Sequence, residues 1–332
     1  MATASEYLDR VRRDLWAKES FGFIPDIDLP PAAGTALLGS GPRVAFAGFP
    51  SDYSVAFLLE LLCLEVEPAG LITSPGAHPA ILGNNALSRI ADHLGIPLLR
   101  AWRINDEHSR MHLAELHLDA VVMASFDQIV ATRTMESAKH GWLNIHPSPL
   151  PRYRGPEPVY WAIADGAPTT GITLHRAARK VDAGGVLRQE EVAIDPGDTA
   201  GTLTKRLVQH GVALLPGAVT ALLRDEPGTT QESDSATYRP SVGHRPLESA
   251  GSAAEAERMV RAGVPNMPAW ARIDGRDLYV MAAAVRHQGE GGHGPHLRYA
   301  DGDLEVTETS ERCGCHHDTP DCPHRTQTTA AP

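Results

Sequence analysis

Lysine is scarce in this sequence. The 332 residues include only Lys18, Lys139, Lys180 and Lys205, and the formal net charge is -11. Proteins that bind nucleic acid neutralise its phosphates with clustered lysine and arginine side chains. No basic stripe is present along this sequence, so we do not expect a nucleic-acid partner.

Cysteine and long apolar runs are also scarce. Cys63 lies in an apolar stretch and the other three cysteines lie near the end of the sequence, so no disulfide framework is predicted. Residues 1–20 are charged and lack the apolar core of a signal peptide. No segment approaches the roughly 20 consecutive apolar residues of a membrane span. The expected location is the cytoplasm, without a membrane partner.

Short apolar segments alternate with helical segments in the first two thirds of the sequence. Strands are predicted at 43–48, 70–73, 97–99 and 119–124, with helices at 52–66, 83–95 and 107–117. This alternation is typical of α/β proteins with a doubly wound, mostly parallel sheet that is covered on both faces. Ligands bind such sheets beyond the carboxyl ends of the strands. We therefore expect Gly48, Thr73, Ser125 and Asn144 on one rim.

The sequence divides into five predicted regions. Residues 1–40 are a helical extension with an amphipathic helix at 4–20, and residues 41–225 are the α/β domain. A polar, proline-rich linker at 226–250 leads to a small β-rich domain at 251–308, which we predict to be a partly open barrel. Residues 309–332 are a tail rich in cysteine and histidine.

The tail carries possible metal ligands. Cys313, Cys315, Cys322 and His324 supply enough thiolate and imidazole groups for tetrahedral zinc. The alternative is a tail that holds no metal in the native protein. The C-x-C spacing is tighter than that of the usual zinc knuckle, which favours the alternative.

The most informative segment is GWLNIHPSPLPRYRG, from Gly141 to Gly155. Asn144 and His146 are two residues apart on a predicted strand, so both side chains lie on one face. An amide and an imidazole together supply N–H donors and a group that accepts or donates a proton. Read alone, Asp182 is a turn residue in a glycine-rich segment. The turn after residue 43 has no Gly-x-Gly-x-x-Gly, which argues against a dinucleotide.

A family resemblance rests on this segment. Asn-x-His-x-Ser-x-Leu-Pro-x-Tyr-Arg-Gly, followed about one βαβ unit later by Val-Asp-x-Gly, resembles the 10-formyltetrahydrofolate-dependent formyltransferases. That group includes methionyl-tRNA formyltransferase, sugar-nucleotide N-formyltransferases and the hydrolase domain of formyltetrahydrofolate dehydrogenase. The resemblance covers roughly residues 43–225. It extends more faintly over the C-terminal region, where it implies an OB-like domain.

The resemblance implies a catalytic trio, Asn144, His146 and Asp182. In these roles Asn144 donates a hydrogen bond to the formyl oxygen, His146 polarises that oxygen or takes the proton of the attacking amine, and Asp182 orients His146 and relays protons. The reaction would need no metal, because 10-formyltetrahydrofolate already carries the activated group.

The resemblance also implies where the cosubstrate binds. The pterin would lie against the loop after the fourth strand, held largely by backbone groups, and against the turn before Asp182. The implied positions are Ser125, Phe126, Asp127, Gln128, Ile129, Lys180 and Val181. Phe126 stands where many relatives have glycine, so we expect a reshaped entrance. A cis Leu150–Pro151 bond is also expected, and His175 and His210 are interpreted as surface or packing histidines.

The acceptor is predicted to be a small-molecule amine, such as an amino acid, a hydroxylated amino acid, an amino sugar or a natural-product intermediate. The family's tRNA-dependent members are expected to have a basic insertion near the site, whereas residues 73–85 contain no lysine or arginine. The alternatives are a methionyl-tRNA formyltransferase, a 10-formyltetrahydrofolate hydrolase and a folate-binding protein without activity. The oligomeric state stays open, with a homodimer as one option.

Overall fold

Apolar segments form the strands of one large sheet. The structure, a computed structural model, describes residues 4–22, 40–74, 86–232, 234–286, 294–311 and 328–330. The sheet contains β1 (Arg43–Gly48), β2 (Glu67–Thr73), β3 (Leu98–Arg100), β4 (Ala120–Ala124), β5 (Trp142–His146), β6 (Thr169–Arg176) and β7 (Val186–Ala193). Their order is β3-β2-β1-β4-β5-β6-β7, and β6 alone runs opposite to the other strands, antiparallel to both β5 and β7. The predicted fold class is confirmed.

Helices cover both faces of this sheet. In chain order the α-helices of the described residues are α1 (Ala4–Ala17), α2 (Asp52–Leu61), α3 (Ala86–Leu94), α4 (Glu107–Glu115), α5 (Thr132–Met135), α6 (Pro158–Ala164), α7 (Ala200–Leu223) and α8 (Ala253–Gly263), the last of which packs on the second sheet. Successive residues of β1 belong to different cores, because side chains alternate across a strand. Val44 and Phe46 lie in one apolar cluster, and Ala45 and Ala47 lie in the other.

The long helix α7 packs lengthwise on the sheet. Thr199 and Thr202 form a reciprocal capping box at its start, which satisfies two otherwise unpaired backbone N–H groups. Its length and hydropathy would also suit a membrane span. However, one face is buried against β6 and β7, and a Cβ at Gly211 would come within 2.6 Å of atoms of Ile172 and Phe57. Helix α7 is therefore a core helix of the α/β domain.

The described part of the N-terminal extension packs against the α/β domain and is hydrogen-bonded to it. Its helix α1 buries Tyr7, Val11 and Leu15, which recur at helical spacing on one face. Beyond α1, the arm (residues 18–22) runs to the start of α2. Lys18 Nζ lies 2.6 and 2.8 Å from the carboxylate oxygens of Asp52, whose side chain has no exposed surface. The backbone N–H of Gly22 donates to the same carboxylate at 2.8 Å.

Replacing Lys18 with methionine is expected to lower the free energy of unfolding by about 3–5 kcal/mol, because Asp52 would remain buried without its cation. Urea unfolding followed by circular dichroism measures the change. Lys139→Met is the matched control, since Lys139 is exposed and the carboxylate near it, that of Asp225, is exposed as well. Equal stability of the two variants would contradict this prediction.

A second, smaller sheet follows the α/β domain. It contains β8 (Trp270–Ile273), β9 (Arg276–Arg286), β10 (His296–Tyr299), β11 (Gly302–Glu311) and β12 (Thr328–Ala330). All its pairings are antiparallel, in the order β10-β11-β9-β8 with β12 on β11. Helix α8 packs on β9 and also contacts α6 of the α/β domain. The predicted smaller β domain is thus present.

The predicted linker is not a free spacer. The Arg154 N–H donates to the Thr237 carbonyl and the Arg239 N–H donates to the Arg154 carbonyl, both at 2.9 Å. Gln231 also donates from Nε2 to the carbonyl oxygens of Asp182 and Gly184, at 2.8 Å each. The segment therefore ties two loops of the α/β domain together before the chain continues to α8.

The zinc prediction falls on residues that the structure does not describe. Cys313, Cys315, Cys322 and His324 all lie between 312 and 327, outside the described residues. Among the residues that are described, no group of three or more histidine, cysteine, aspartate or glutamate side chains could hold a metal ion. The tail's metal binding stays a prediction.

Candidate active site

A cavity of about 610 Å³ opens at the carboxyl ends of β1, β4 and β5. The strand order reverses between β2-β1 and β4-β5, and such reversals leave a crevice where α/β proteins bind ligands. Asn144, His146 and Asp182 all line this cavity. Of the rim residues predicted from the sequence, Ser125 and Asn144 line this cavity, whereas Gly48 and Thr73 are not among its lining residues.

Strand β5 delivers Asn144 and His146 to the cavity, while Ile145 between them is 2% exposed and packs in the core. The loop that follows holds His146 in place. A cis Leu150–Pro151 bond is present in it, as expected. His146 Nε2 lies 2.8 Å from the Tyr153 carbonyl oxygen, which can only accept, so Nε2 carries the hydrogen. The other ring nitrogen, Nδ1, is left to face Asp182.

Asp182 is the centre of the hydrogen-bond network. It adopts a left-handed conformation with φ 52°, which an aspartate in a turn tolerates. Its Oδ2 accepts the Gly155 N–H at 2.8 Å and lies 3.7 Å from His146 Nδ1. Its Oδ1 accepts from Asn144 Nδ2 at 3.1 Å. One carboxylate thus contacts both of the other members of the predicted trio.

The charge states of the trio follow from burial and from these contacts. Burial opposes ionisation of Asp182, but His146, His175 and the Gly155 N–H together lower its pKa to about 2. Burial also lowers the pKa of His146 below its usual value, although Asp182 partly opposes this. At neutral pH the site therefore holds a neutral imidazole beside an ionised carboxylate. That pair can take up a proton on Nδ1 and stabilise the resulting cation.

His175 also belongs to the site, although the sequence interpretation placed it on the surface or in packing. It is 1% exposed, it pairs with Asn144 across β5 and β6, and its Nε2 lies 3.1 Å from Asn144 Nδ2. Its Nδ1 faces the Arg176 carbonyl at 2.8 Å and so carries the hydrogen. Strand alternation could have predicted this position, because Thr173 and His175 share a face of β6 and Thr173 Oγ1 contacts the loop after His146.

His210, in contrast, lies at the surface, where its Nδ1 is 2.8 Å from a carboxylate oxygen of Glu190.

Most of the predicted pterin-binding residues line the cavity. They are Ser125, Phe126, Asp127, Gln128, Ile129 and Val181. Both ends of the Gln128 side-chain amide are hydrogen-bonded, since Oε1 accepts from the Ile104 N–H and Nε2 donates to the Ala101 carbonyl. We therefore infer that Gln128 faces the cavity with its backbone. Lys180 instead lines an adjacent cavity of about 440 Å³. The two cavities share Val181 and Tyr238.

The remaining wall comes from parts of the chain that are distant in sequence. The arm contributes Phe21 and Gly22, the first turn of α6 contributes Tyr160 and the preceding residue Glu157, and Asn266 follows α8. Glu157 has φ 53°. Burial raises the pKa of its carboxyl, whereas the Val242 N–H and Ser241 hydroxyl stabilise its charged form. None of these residues carries a sequence motif that marks it as part of the site.

Comparison with known proteins gives one family. The model of the formyl transferase domain matches residues 78–219. The chain is 35% identical over 253 residues to a methionyl-tRNA formyltransferase of Rhizorhabdus wittichii, covering 74% of this chain and 81% of that protein. The methionyl-tRNA formyltransferase of Halalkalibacterium halodurans is 34% identical over 204 residues, which are 60% of this chain and 64% of that protein.

Solved structures show the same fold. An N-formyltransferase from Helicobacter canadensis, in complex with folinic acid and dTDP-3-aminofucose, superimposes with a TM-score of 0.59. The alignment covers 80% of this chain and 99% of that one, at 17% sequence identity. At this identity the likeness is one of fold.

Proposed function

This chain belongs to the formyl transferase family, and from that premise we propose that it transfers the formyl group of 10-formyltetrahydrofolate to an amine of a small molecule. Formyl transfer itself is the activity of the family. The observation that carries the proposal is the convergence of Asn144, His146 and Asp182 on one cavity at the crevice of the sheet. Our proposal concerns the identity of the formyl donor and the chemical class of the acceptor.

The cavity fits a folate donor. Its volume of about 610 Å³ lies in the range of about 300–1,000 Å³ that holds ligands of this size. Phe126, Ile129, Ala177 and Val181 offer apolar surface for a flat ring. The loop after β4 also presents backbone groups. Ser125 in this loop has φ 52°, and its carbonyl oxygen accepts a hydrogen bond from the Phe49 N–H.

The trio performs the transfer by moving one proton and stabilising one charge. Asn144 donates to the formyl oxygen as that oxygen gains negative charge. His146 takes the proton that the amine loses as its nitrogen bonds to the formyl carbon, and Asp182 stabilises the resulting imidazolium. The proton then passes to the folate nitrogen as its bond to the formyl carbon breaks. No oxidant or reductant is required.

A small amine is supported over a tRNA by the charge of the cavity. Among the described residues that line it, none is a lysine or an arginine, and the acidic and histidine side chains are Asp127, Glu157, Asp182, His146 and His175. Nucleic-acid binding depends on neutralised phosphates, which this wall does not supply. The relatives named as methionyl-tRNA formyltransferases make that activity the alternative to test.

The test follows tetrahydrofolate release from 10-formyltetrahydrofolate by absorbance, with and without an acceptor. Acceptors are glucosamine, glucosamine 6-phosphate, 4-aminobutanol, 4-aminobutanoate and methionyl-tRNA. We expect release that depends on a small amine, with a formylated product of matching mass and none with Asn144→Ala.

Three other outcomes would contradict the proposal. Transfer to methionyl-tRNA alone would make the chain a methionyl-tRNA formyltransferase. Equal release without any acceptor would make it a hydrolase. Folate binding without release would make it a binding protein.

A further inference from the structure

We propose that the N-terminal arm and Glu157 form an acceptor chamber that selects an amine without phosphate or carboxylate groups. This inference rests on the proposed function, because it concerns the second substrate of the same site. The chamber is the part of the cavity wall outside the loop after β4 and the turn before Asp182. Its defining residues are Phe21, Tyr53, Glu157, Tyr160 and Asn266.

The arm is a fixed part of this wall. Phe21 is 1% exposed, its N–H donates to the Gly201 carbonyl at 3.0 Å, and its ring lies 5.4 Å from that of Trp16. The Gly22 backbone is hydrogen-bonded to Asp52 in both directions, at 2.8 and 3.1 Å. The arm therefore reaches the cavity with a defined position, set by the Lys18–Asp52 ion pair.

Three segments meet where the arm closes the chamber. A Cβ on Gly201 would lie 2.8 Å from Pro265, 2.9 Å from Ser20 and 3.1 Å from the Phe21 carbonyl. The Gly201 N–H also donates to the Val264 carbonyl at 3.0 Å. The start of α7, the arm and the turn after α8 thus pack without a gap, which bounds the size of any ligand on this side.

Glu157 gives the chamber its chemistry. It directly precedes α6, and its carboxylate is hydrogen-bonded to the linker. Oε2 accepts from the Val242 N–H at 2.6 Å, and Oε1 accepts from the Ser241 hydroxyl at 3.3 Å. Each carboxylate oxygen can accept a second hydrogen bond. Glu157 lines the same cavity as His146 and Asp182, and in this proposal the free hydrogen-bonding positions of its carboxylate hold an ammonium or hydroxyl group of the acceptor.

The described wall of the cavity offers no lysine or arginine to balance an anionic acceptor. A phosphate or carboxylate entering the chamber would be desolvated beside Glu157 and Asp182 without a partner, which is costly. The carboxylates of a folate could instead remain outside, near the exposed Arg179 and Lys180 beside Val181.

These features together define the acceptor class. It is a compact amine that is neutral or carries a second cation or several hydroxyl groups, such as an unphosphorylated amino sugar or an amino alcohol. Nucleotide-linked and phosphorylated amines are excluded on charge, and large ones are excluded by the arm.

The experiment compares matched pairs of acceptors with the full-length enzyme and 10-formyltetrahydrofolate. The pairs are glucosamine with glucosamine 6-phosphate, and 4-aminobutanol with 4-aminobutanoate. We expect kcat/KM to be at least tenfold higher for the member of each pair that lacks the phosphate or carboxylate group. Glu157→Gln should raise the KM of the preferred amine by roughly tenfold to a hundredfold, as for loss of a hydrogen bond to a charged group, while the KM of the folate stays unchanged.

Two further variants separate recognition from folding. Phe21→Leu keeps the core filled but shortens the wall, and it should raise kcat/KM for bulkier N-alkyl derivatives of the preferred amine relative to the parent amine. Glu115→Gln, an exposed helical position, is the control and should match the wild-type enzyme.

The failure of this inference is distinct from that of the proposed function. The proposed acceptor chamber would be contradicted by efficient transfer to the phosphorylated or carboxylated members, or by unchanged kinetics in both Glu157→Gln and Phe21→Leu. Either result would leave the formyltransferase assignment unchanged. Absence of transfer to every small amine would overturn both.

Discussion

Replacing Asn144 with alanine is expected to lower kcat for formyl transfer by about 10²–10³, with little change in the KM of the folate. The loss of one donor to a developing oxyanion has an effect of this size. It falls on kcat because the hydrogen bond strengthens only as the formyl oxygen gains charge. The measurement is steady-state release of tetrahydrofolate at a saturating concentration of the preferred amine.

The contacts of Asn144 explain how it becomes available. Its Nδ2 carries two hydrogens and faces Asp182 Oδ1 and His175 Nε2, both at 3.1 Å. The bond to the carboxylate is charge-assisted and therefore the stronger of the two. The hydrogen directed at His175 is the one that can be shared with the formyl oxygen, while Asp182 keeps the amide in place.

Two variants check this assignment. Asn144→Asp conserves shape but removes both donors and sets a second carboxylate beside Asp182, so it should lose at least as much activity as the alanine variant. His175→Gln should retain most activity, because its role is to orient Asn144 and not to donate to the formyl group. Wild-type kcat in a correctly folded Asn144→Ala protein would remove Asn144 from catalysis.

The sequence predicted the sheet and the pairing of Asn144 with His146 because both are encoded locally. The strands are short apolar runs between helices, and Asn144 and His146 stand two residues apart on one of them. Asp182 was identified only through the Val-Asp-x-Gly resemblance, because nothing in its own turn marks it as more than a turn residue. The structure adds its hydrogen bonds to Asn144 and Gly155.

The acceptor side could not be predicted in the same way, because it is assembled from distant segments. Phe21 reaches the cavity because Lys18 pairs with Asp52 and because Gly201 leaves room for the arm. Glu157 lies on the wall only because residues 241 and 242 return from the linker to bind its carboxylate. Neither the position of Phe21 nor that of Glu157 can be recognised from a periodic pattern or a motif, because each depends on contacts between residues that are far apart in sequence.

Replacing Asp182 with asparagine is the second change for which a large effect is expected, a loss of about 10²–10⁴ in kcat. An amide in this position still occupies the turn, but it carries no charge to stabilise a protonated His146. Steady-state release of tetrahydrofolate measures the loss. Asp225→Asn is a matched control, because Asp225 also has a left-handed conformation and a histidine partner but lies exposed outside the cavity. It should retain wild-type kcat.

The pH profile distinguishes this role of Asp182 from a purely structural one. Neutral His146 is the active form, and its pKa is lowered by burial, so the acid limb of kcat/KM for the folate, measured with saturating amine in the wild type, should lie below pH 6.5. Asp182 raises the pKa of His146, so its removal should move the acid limb to lower pH. A profile that does not move, or moves to higher pH, would contradict the electrostatic coupling.

Stability should depend on Asp182 in a different pH window. Its pKa falls from an ordinary 3.8 to about 2 in the folded state, so the ionised form stabilises the fold above pH 3.8 by about 2 kcal/mol. That contribution should be lost as the pH falls from 3.8 to 2, because the unfolded chain then binds the proton first. Urea unfolding of the wild type and Asp182→Asn between pH 7 and pH 3 should show their difference narrowing as acid is added. A constant difference would show that the carboxylate charge does not contribute.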